Sequence, residues 1–151
     1  MSDPGAPRSD APLLHRRFAA RASELREVRE AVRREAIAQG CAPECAGDIV
    51  IAVDEACQNI IRHAYAGRSD GEIVLEIARS GEEILVTLRD FAPPVDPSRV
   101  RPRDLDDLRP GGLGTHLIRE LTDGCGFAPA PLGGGNLFRM RKRIRKHEEP
   151  A

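Results

Sequence analysis

Three polar side chains, Glu55, Asn59 and His63, recur at every fourth residue in one stretch of the chain. Residues four apart lie on one face of an α-helix, so this spacing aligns a carboxylate, an amide and an imidazole. An amide oxygen can ligate Mg²⁺, a hard cation that bridges phosphates, and a carboxylate can accept the proton of an attacking hydroxyl. A solvated polar helix face has the same spacing, so the row alone leaves both interpretations open.

A glycine-rich turn, Pro110-Gly-Gly-Leu-Gly114, precedes a second helical pattern. Glycines let backbone N–H groups approach an anion closely, and the N-terminus of the following helix adds a positive dipole end. The turn lacks the Gly-Lys-Ser/Thr of a P-loop and does not directly follow a strand, as a dinucleotide-binding fingerprint does. It is consistent with a phosphate cradle and equally with a plain transition from loop to helix.

A third acidic position, Asp90, closes a strand pattern directly before a long stretch rich in proline and charge. A buried carboxylate at a strand end can accept a hydrogen bond from the amino group of adenine. A simple acidic residue at a strand end is the alternative.

In chain order, these pieces resemble the GHKL ATPase superfamily, and most closely its small anti-sigma factor serine/threonine kinases. Residues Glu55 to Tyr65 are similar to the N box, Arg89 to Ala92 to the first glycine box, and Gly111 to Gly114 to the second. The resemblance covers roughly Leu13 to Ile144. The joint occurrence of the three boxes in this order is far more specific than any one of them.

The resemblance implies a role for each matched position. Glu55 would be the catalytic carboxylate that activates a substrate serine, Asn59 would coordinate Mg²⁺, and Asp90 would hold the adenine of ATP. Residues 91–110 would form the ATP lid. The remaining cofactor-binding positions would be Arg62, His63, Ala92, Arg109, Gly111, Gly112, Leu113, Gly114 and Thr115.

One position departs from the family pattern, since Ala92 stands where the first glycine box usually has glycine. Alanine adds only a methyl group, so the base is still expected to fit. Unlike glycine, alanine disfavours a positive φ. ATP affinity and hinge motion of the lid are the properties that this departure affects.

The elements that must position these residues follow from apolar periodicity. Leu25, Val28, Val32 and Ile37 form a helical stripe, and residues 73–77 and 84–88 alternate as two strands of an antiparallel hairpin. The predicted strands are 13–20, 72–78, 83–90, 125–129 and 136–143, the predicted helices are 22–39, 48–66 and 115–122, and 41–47 is a connector. The sum is an α+β fold with a mostly antiparallel sheet and helices on one face. The resemblance implies the two-layer Bergerat-type sandwich.

Composition narrows the function further. The chain has 151 residues, a net charge of −1 and 3% aromatic residues, which argues against direct binding of nucleic acid. No apolar run approaches the ~20 residues that span a bilayer, so we expect no membrane partner and a cytoplasmic location. We expect a disordered arm at 1–12, one ATPase domain at 13–144 and a tail at 145–151.

The leading hypothesis is therefore an ATP- and Mg²⁺-dependent protein serine kinase that is also an anti-sigma factor. The resemblance implies two partners, a sigma factor and a STAS-type antagonist whose serine is phosphorylated, and a homodimer as one option. Two alternatives remain, a nucleotide-gated interaction module with little turnover and an α+β domain that binds no nucleotide. The catalytic domain of a histidine kinase is less well supported, because we expect no helical hairpin with a phosphoacceptor histidine before residue 13.

Overall fold

The computed structural model describes residues 12–66, 68, 70–93, 113–129 and 132–146, with the backbone alone at 113–115. Five strands and three α-helices are present in this part of the chain. The strands are β1 (Leu14–Ala19), β2 (Glu72–Ser80), β3 (Glu83–Asp90), β4 (Gly124–Ala128) and β5 (Asn136–Arg143). The helices are α1 (Leu25–Ala38), α2 (Pro43–Asn59) and α3 (Leu113–Leu121), and a π-helix (Ile60–Ala64) continues α2.

The sheet is antiparallel throughout, with the strand order β1-β2-β3-β5-β4. Side chains alternate between its two faces, so every second residue of β2 and β3 enters the core. The residues on this face, which we call the helix face, are Ile73, Leu75, Ile77, Ile84, Val86, Leu88 and Asp90. The opposite face, here the open face, carries half-buried residues such as Val74, Glu76 and Thr87. Helices on one face of an antiparallel sheet confirm the predicted α+β sandwich.

The buried stripe of helix α1 differs from its prediction at one residue. Its buried side chains are Leu25, Val28, Val32 and Ala36, whereas Ile37 is largely exposed. Four residues after Val32 the same face returns at Ala36, and Ile37 lies a further ~100° around the helix.

Helix α2 begins earlier than predicted. Residues 43–47, interpreted as part of a connector, form its first turns, with Pro43 at the start. A proline is favoured there because the first helical N–H has no partner within the helix. Gly47 is carried inside the helix, and Cys45 and Ala46 beside it are buried in the core. Burial therefore outweighs the ~1 kcal/mol that a glycine costs inside a helix.

The core around α2 also contains Cys57. Its side chain is fully buried, and this burial raises the pKa of its thiol. Burial likewise raises the pKa of Cys41, just before the helix, to about 12. Both thiols therefore stay protonated and unreactive at neutral pH.

The α-helical part of the predicted 22–39 starts three residues late, at Leu25, after a 3₁₀ turn at Ala22–Glu24. The remaining predicted boundaries agree with the structure to within two residues, and those of β3 and β5 coincide with it. Helix α3 starts at Leu113, two residues before its predicted start, so the end of the glycine turn enters its first turn. No helix in the described ranges is both long and apolar enough to cross a membrane. The proposed arm at 1–12 lies almost wholly outside the described residues.

Candidate functional site

Two neighbouring carboxylates of α2, Asp54 and Glu55, have different surroundings in the structure. Asp54 accepts hydrogen bonds from Arg29 of α1 at 2.9 Å and from Gln58 at 2.7 Å. The half-buried Glu55 has no hydrogen-bond or ion-pair partner among the described residues. Asp54 thus fastens α2 to α1, whereas the carboxylate of Glu55 is available to a ligand or substrate.

One turn further along α2, Asn59 is also half-buried and accepts a hydrogen bond from the guanidinium of Arg62 on its side-chain oxygen at 3.3 Å. Arg62 is exposed and His63 half-buried, and both lie in the π-helix that follows. The predicted row of Glu55, Asn59 and basic residues therefore lies at the end of α2, where the helix widens. π-Helical turns of this kind occur frequently at functional sites.

The second half of the candidate site is the end of β3. The side chain of Asp90 is only 3% exposed. One of its carboxylate oxygens, Oδ1, accepts hydrogen bonds from the backbone N–H of Ala92 at 3.0 Å and the side-chain amide of Asn136 at 2.9 Å. Burial raises the pKa of Asp90, and the hydrogen bonds from Asn136 and Ala92 oppose that rise. A carboxylate has about four acceptor positions, so this one can accept a further donor such as an adenine amino group.

Ala92 does not distort the chain where the family pattern has glycine. Ala66 is the one non-glycine residue with positive φ in the described part of the chain, so Ala92 has an ordinary backbone conformation. Its methyl group is buried, and its N–H donates to Asp90. The expected conflict between alanine and a positive φ therefore does not arise.

Asn136 is a member of this site that the sequence analysis missed. It is the first residue of β5, pairs in register with Asp90, and also donates to the carbonyl of Pro93 at 3.3 Å. The sequence signal that could have revealed it is the run of three glycines directly before it. Such a run lets the backbone pass close to another chain segment.

The last of those glycines, Gly135, makes that close approach. Its φ is +88°, and a Cβ placed on it would overlap the backbone carbonyl oxygen of Asp90. Gly134 has nearly the same φ, +87°, but a Cβ there meets no described atom within 4 Å. Substitution of Gly134 therefore tests backbone strain alone, whereas substitution of Gly135 tests the same strain together with the contact with Asp90.

We expect Gly135→Ala to lower the free energy of unfolding by clearly more than Gly134→Ala. Both variants carry the strain of a left-handed conformation, about 1–2 kcal/mol. Only Gly135→Ala must also displace the backbone beside Asp90. Urea denaturation of the two variants measures the difference, and equal losses would show that the approach to Asp90 costs nothing.

Tyr65, the last residue of the N-box pattern, is a second member whose contribution the sequence did not reveal. Its hydroxyl donates to the carbonyl of Glu72 at 2.7 Å and accepts from the N–H of Phe91 at 2.7 Å. It thereby joins the end of the helix that bears Asn59 to the residue after Asp90. These contacts bring the two predicted halves of the site into one unit.

The predicted phosphate-binding half is described only in part. Arg109, Gly111 and Gly112 lie outside the described residues. Leu113, Gly114 and Thr115 form the first turn of α3, and their side chains are not described. The helix start after the glycines agrees with the predicted geometry of an anion site, and the assignment of these residues stays a prediction.

A groove with a volume of 410 Å³ lies on the open face and does not touch Glu55, Asn59 or Asp90. The ring of Phe91 lines this groove. The guanidinium carbons of Arg17 and Arg89 lie 5.2 Å and 4.9 Å from the ring centre. These cation–π contacts hold the residue after Asp90 from the face opposite to Tyr65.

The family model of the histidine kinase-like ATPase domain matches residues 18–142, which include every described part of this site. The chain belongs to this family. Membership accounts for the α+β architecture. The family is one of ATPase domains, and the chain is therefore a kinase-like ATPase domain.

Relatives in this family include two kinds of kinase. The chain is 34% identical over 92 residues to the serine-protein kinase RsbW of Listeria monocytogenes, covering 56% of this chain and 59% of that one. It is 35% identical over 86 residues to RsbW of Halalkalibacterium halodurans, covering 50% and 51%. It is also 34% identical over 93 residues to the blue-light-activated histidine kinase 2 of Erythrobacter litoralis, covering 61% and 25%.

The fold also matches a solved structure, that of the RsbU and RsbW domains of Rv1364c from Mycobacterium tuberculosis. The TM-score is 0.58 at 19% identity, over 87% of this chain and 32% of that one. This likeness confirms the fold. The chain spans between a quarter and three fifths of the length of the curated relatives described above.

Proposed function

We propose that the protein is an ATP- and Mg²⁺-dependent protein serine kinase of a bacterial partner-switching system. In this proposal it binds a sigma factor and holds it inactive, and it phosphorylates a serine on a STAS-type antagonist of the anti-sigma factor. The observation that carries the proposal is Glu55, a half-buried carboxylate without a partner in the described structure. Both carboxylate oxygens of its neighbour Asp54 already accept hydrogen bonds, one from Arg29 of α1 and one from Gln58 of α2.

The residues present fit the nucleotide that the family implies. Asp90 offers a buried acceptor for the adenine amino group, with Asn136 and Ala92 fixing its orientation. Asn59 offers an amide oxygen of the kind that Mg²⁺ ligates, one helical turn from Glu55. ATP with Mg²⁺ would supply the γ-phosphoryl group and neutralise part of its charge.

The chain's own contribution to transfer is orientation and proton movement. The serine oxygen forms a bond to the γ-phosphorus while the bond from that phosphorus to the β,γ-bridging oxygen breaks, which leaves ADP. The serine proton passes to the carboxylate of Glu55, which can then release it to water. Phosphate on the serine adds charge that weakens an interface with the kinase, which fits a switch between partners.

The first test of this function is protection by nucleotide. Thermal unfolding with and without Mg-ATP or Mg-ADP should show a rise in Tm, since a ligand at 100 times its Kd stabilises by about 2.7 kcal/mol. The protein is then incubated with labelled ATP and a STAS-type antagonist. The expected product is phosphoserine on the antagonist. The absence of any shift in Tm at millimolar nucleotide would remove the basis of the proposal.

Transfer to histidine is the second candidate, favoured by the likeness to the histidine kinase of Erythrobacter litoralis. The acid stability of the phosphorylated product distinguishes transfer to serine from transfer to histidine. Phosphoserine survives acid, whereas phosphohistidine is hydrolysed by it. Label that acid removes, on this chain or on a partner, would identify the histidine reaction.

A further inference from the structure

The hydroxyl of Tyr65 lies within the sheet, at the end where Asp90 leaves it. The side chain is 3% exposed, and the ring is packed beneath the start of β2. A Cβ on Gly71 would lie 2.5 Å from the ring. Residue 71 is therefore kept small by the tyrosine ring.

The hydroxyl replaces a rung of the β2–β3 ladder. The register pairs Ile73 with Asp90, so one further step would pair Glu72 with Phe91. The carbonyl of Glu72 and the N–H of Phe91 do not bond to each other but each bond to the Tyr65 hydroxyl, at 2.7 Å. The hydroxyl thus sets the separation of the two strands beside Asp90.

The π-helix delivers the tyrosine to this place. The backbone N–H of Tyr65 donates to the carbonyl of Ile60 at 3.1 Å, five residues earlier. The same continuous helix bears Asn59 directly before the π-turn. A continuous path of helix and hydrogen bonds therefore runs from Asn59 through the π-turn to the tyrosine hydroxyl, and from there to the residue after Asp90.

We propose that Tyr65 is a positioning residue that fixes the base-reading carboxylate of Asp90 relative to the metal-binding amide of Asn59. The proposal rests on the nucleotide site of the proposed function and adds the element that couples its two halves. Tyr65 itself is not expected to touch nucleotide. Its hydroxyl acts through Phe91 and Asp90, so its removal should weaken recognition of the base and spare recognition of the phosphates.

The test compares Tyr65→Phe with the wild-type protein and with Ile84→Val. Ile84 is fully buried at the opposite end of β3, so the control lowers stability without touching the site. Isothermal titration gives the Kd of Mg-ATP, Mg-GTP and Mg-tripolyphosphate for each protein. For Tyr65→Phe we expect Mg-ATP to bind about tenfold more weakly, with unchanged tripolyphosphate binding and a smaller preference for ATP over GTP. In kinase assays KM for ATP should rise with kcat unchanged.

Gly71→Ala supplies an independent variant, because it displaces the ring and leaves the hydroxyl in the sequence. It should give the same pattern as Tyr65→Phe. A double-mutant cycle of Tyr65→Phe with Asp90→Asn should show that the losses of ATP affinity are not additive, since both act on one contact.

Two results would overturn the inference while leaving the nucleotide site intact. One is a Tyr65→Phe protein with lowered Tm and unchanged Kd for ATP, which matches the Ile84→Val control. The other is an equal loss for ATP and tripolyphosphate. Failure of the wild-type protein to bind ATP at all would instead contradict the proposed function itself.

Discussion

Glu55→Gln is expected to lower phosphoryl transfer about 10²- to 10⁴-fold while leaving the affinity for Mg-ATP unchanged. Glutamine keeps the shape of the side chain but cannot accept the serine proton. Because Glu55 has no partner in the described structure, its replacement breaks no observed contact and should leave Tm unchanged. Single-turnover transfer to the antagonist, with Kd from titration, separates the two quantities.

Two controls on the same helix make this result specific. Glu44→Gln changes an exposed carboxylate in the first turn of α2. It should leave the rate unchanged and cost at most the ~0.3–1 kcal/mol that a negative charge contributes near a helix N-terminus. Asp54→Asn removes the ion pair with Arg29 and should lower Tm with only a small effect on the rate. A Glu55→Gln protein with wild-type transfer would refute the assignment of the base. A rate loss confined to Asp54→Asn would place the catalytic carboxylate one residue earlier.

Asp90→Asn is expected to weaken ATP binding about 10- to 100-fold, since a hydrogen bond to a charged group contributes about 1.5–3 kcal/mol. The same change should stabilise the nucleotide-free protein at neutral pH. Burial raises the pKa of Asp90, so its contribution to folding stability is fully present below the ordinary pKa of an aspartate. That contribution is lost as the pH rises through the raised value.

The predicted loss of ATP affinity and gain of stability in Asp90→Asn should both depend on pH. Wild-type ATP affinity should fall as the pH drops through the raised pKa of Asp90, because protonation removes charge from the acceptor. Asp90→Asn should lack this component, and Asp70→Asn, at a highly exposed surface carboxylate, should behave as wild type. Equal ATP affinity of the wild type and Asp90→Asn at pH 7 would argue against recognition of the base by this carboxylate.

The sequence predicted the fold well where the pattern is local. Alternation in 84–88 defined β3, because one face of that strand is buried and the other is not. The prediction was wrong where burial in the core competes with the local conformational preference of a residue. Gly47 indicated a helix boundary, yet α2 continues through it because Cys45 and Ala46 beside it belong to the core.

The candidate site likewise has residues that the sequence predicted and residues that it did not. The helical row of Glu55 and Asn59 was visible because residues four apart share a face whatever the tertiary structure. Asn136 and the hydroxyl of Tyr65 were not, since their contacts depend on strand register and on a π-turn that no local periodicity encodes. The sequence analysis overestimated the effect of Ala92 on the backbone. Glycine in a family pattern need not mean a positive φ at that position, and Ala92 has none.

The position of β5 in the sheet also determines the order in which the protein can be completed during translation. β5 is the last strand in the described part of the chain but lies between β3 and β4, so neither strand can complete its pairing before residues 136–143 have left the ribosome. Until then β3 has an open edge next to a strongly apolar surface, and the carboxylate of Asp90 lacks Asn136. In the proposed function, a nascent chain therefore cannot complete the acceptor for the base before β5 emerges, and the apolar surface beside β3 stays uncovered for the same interval.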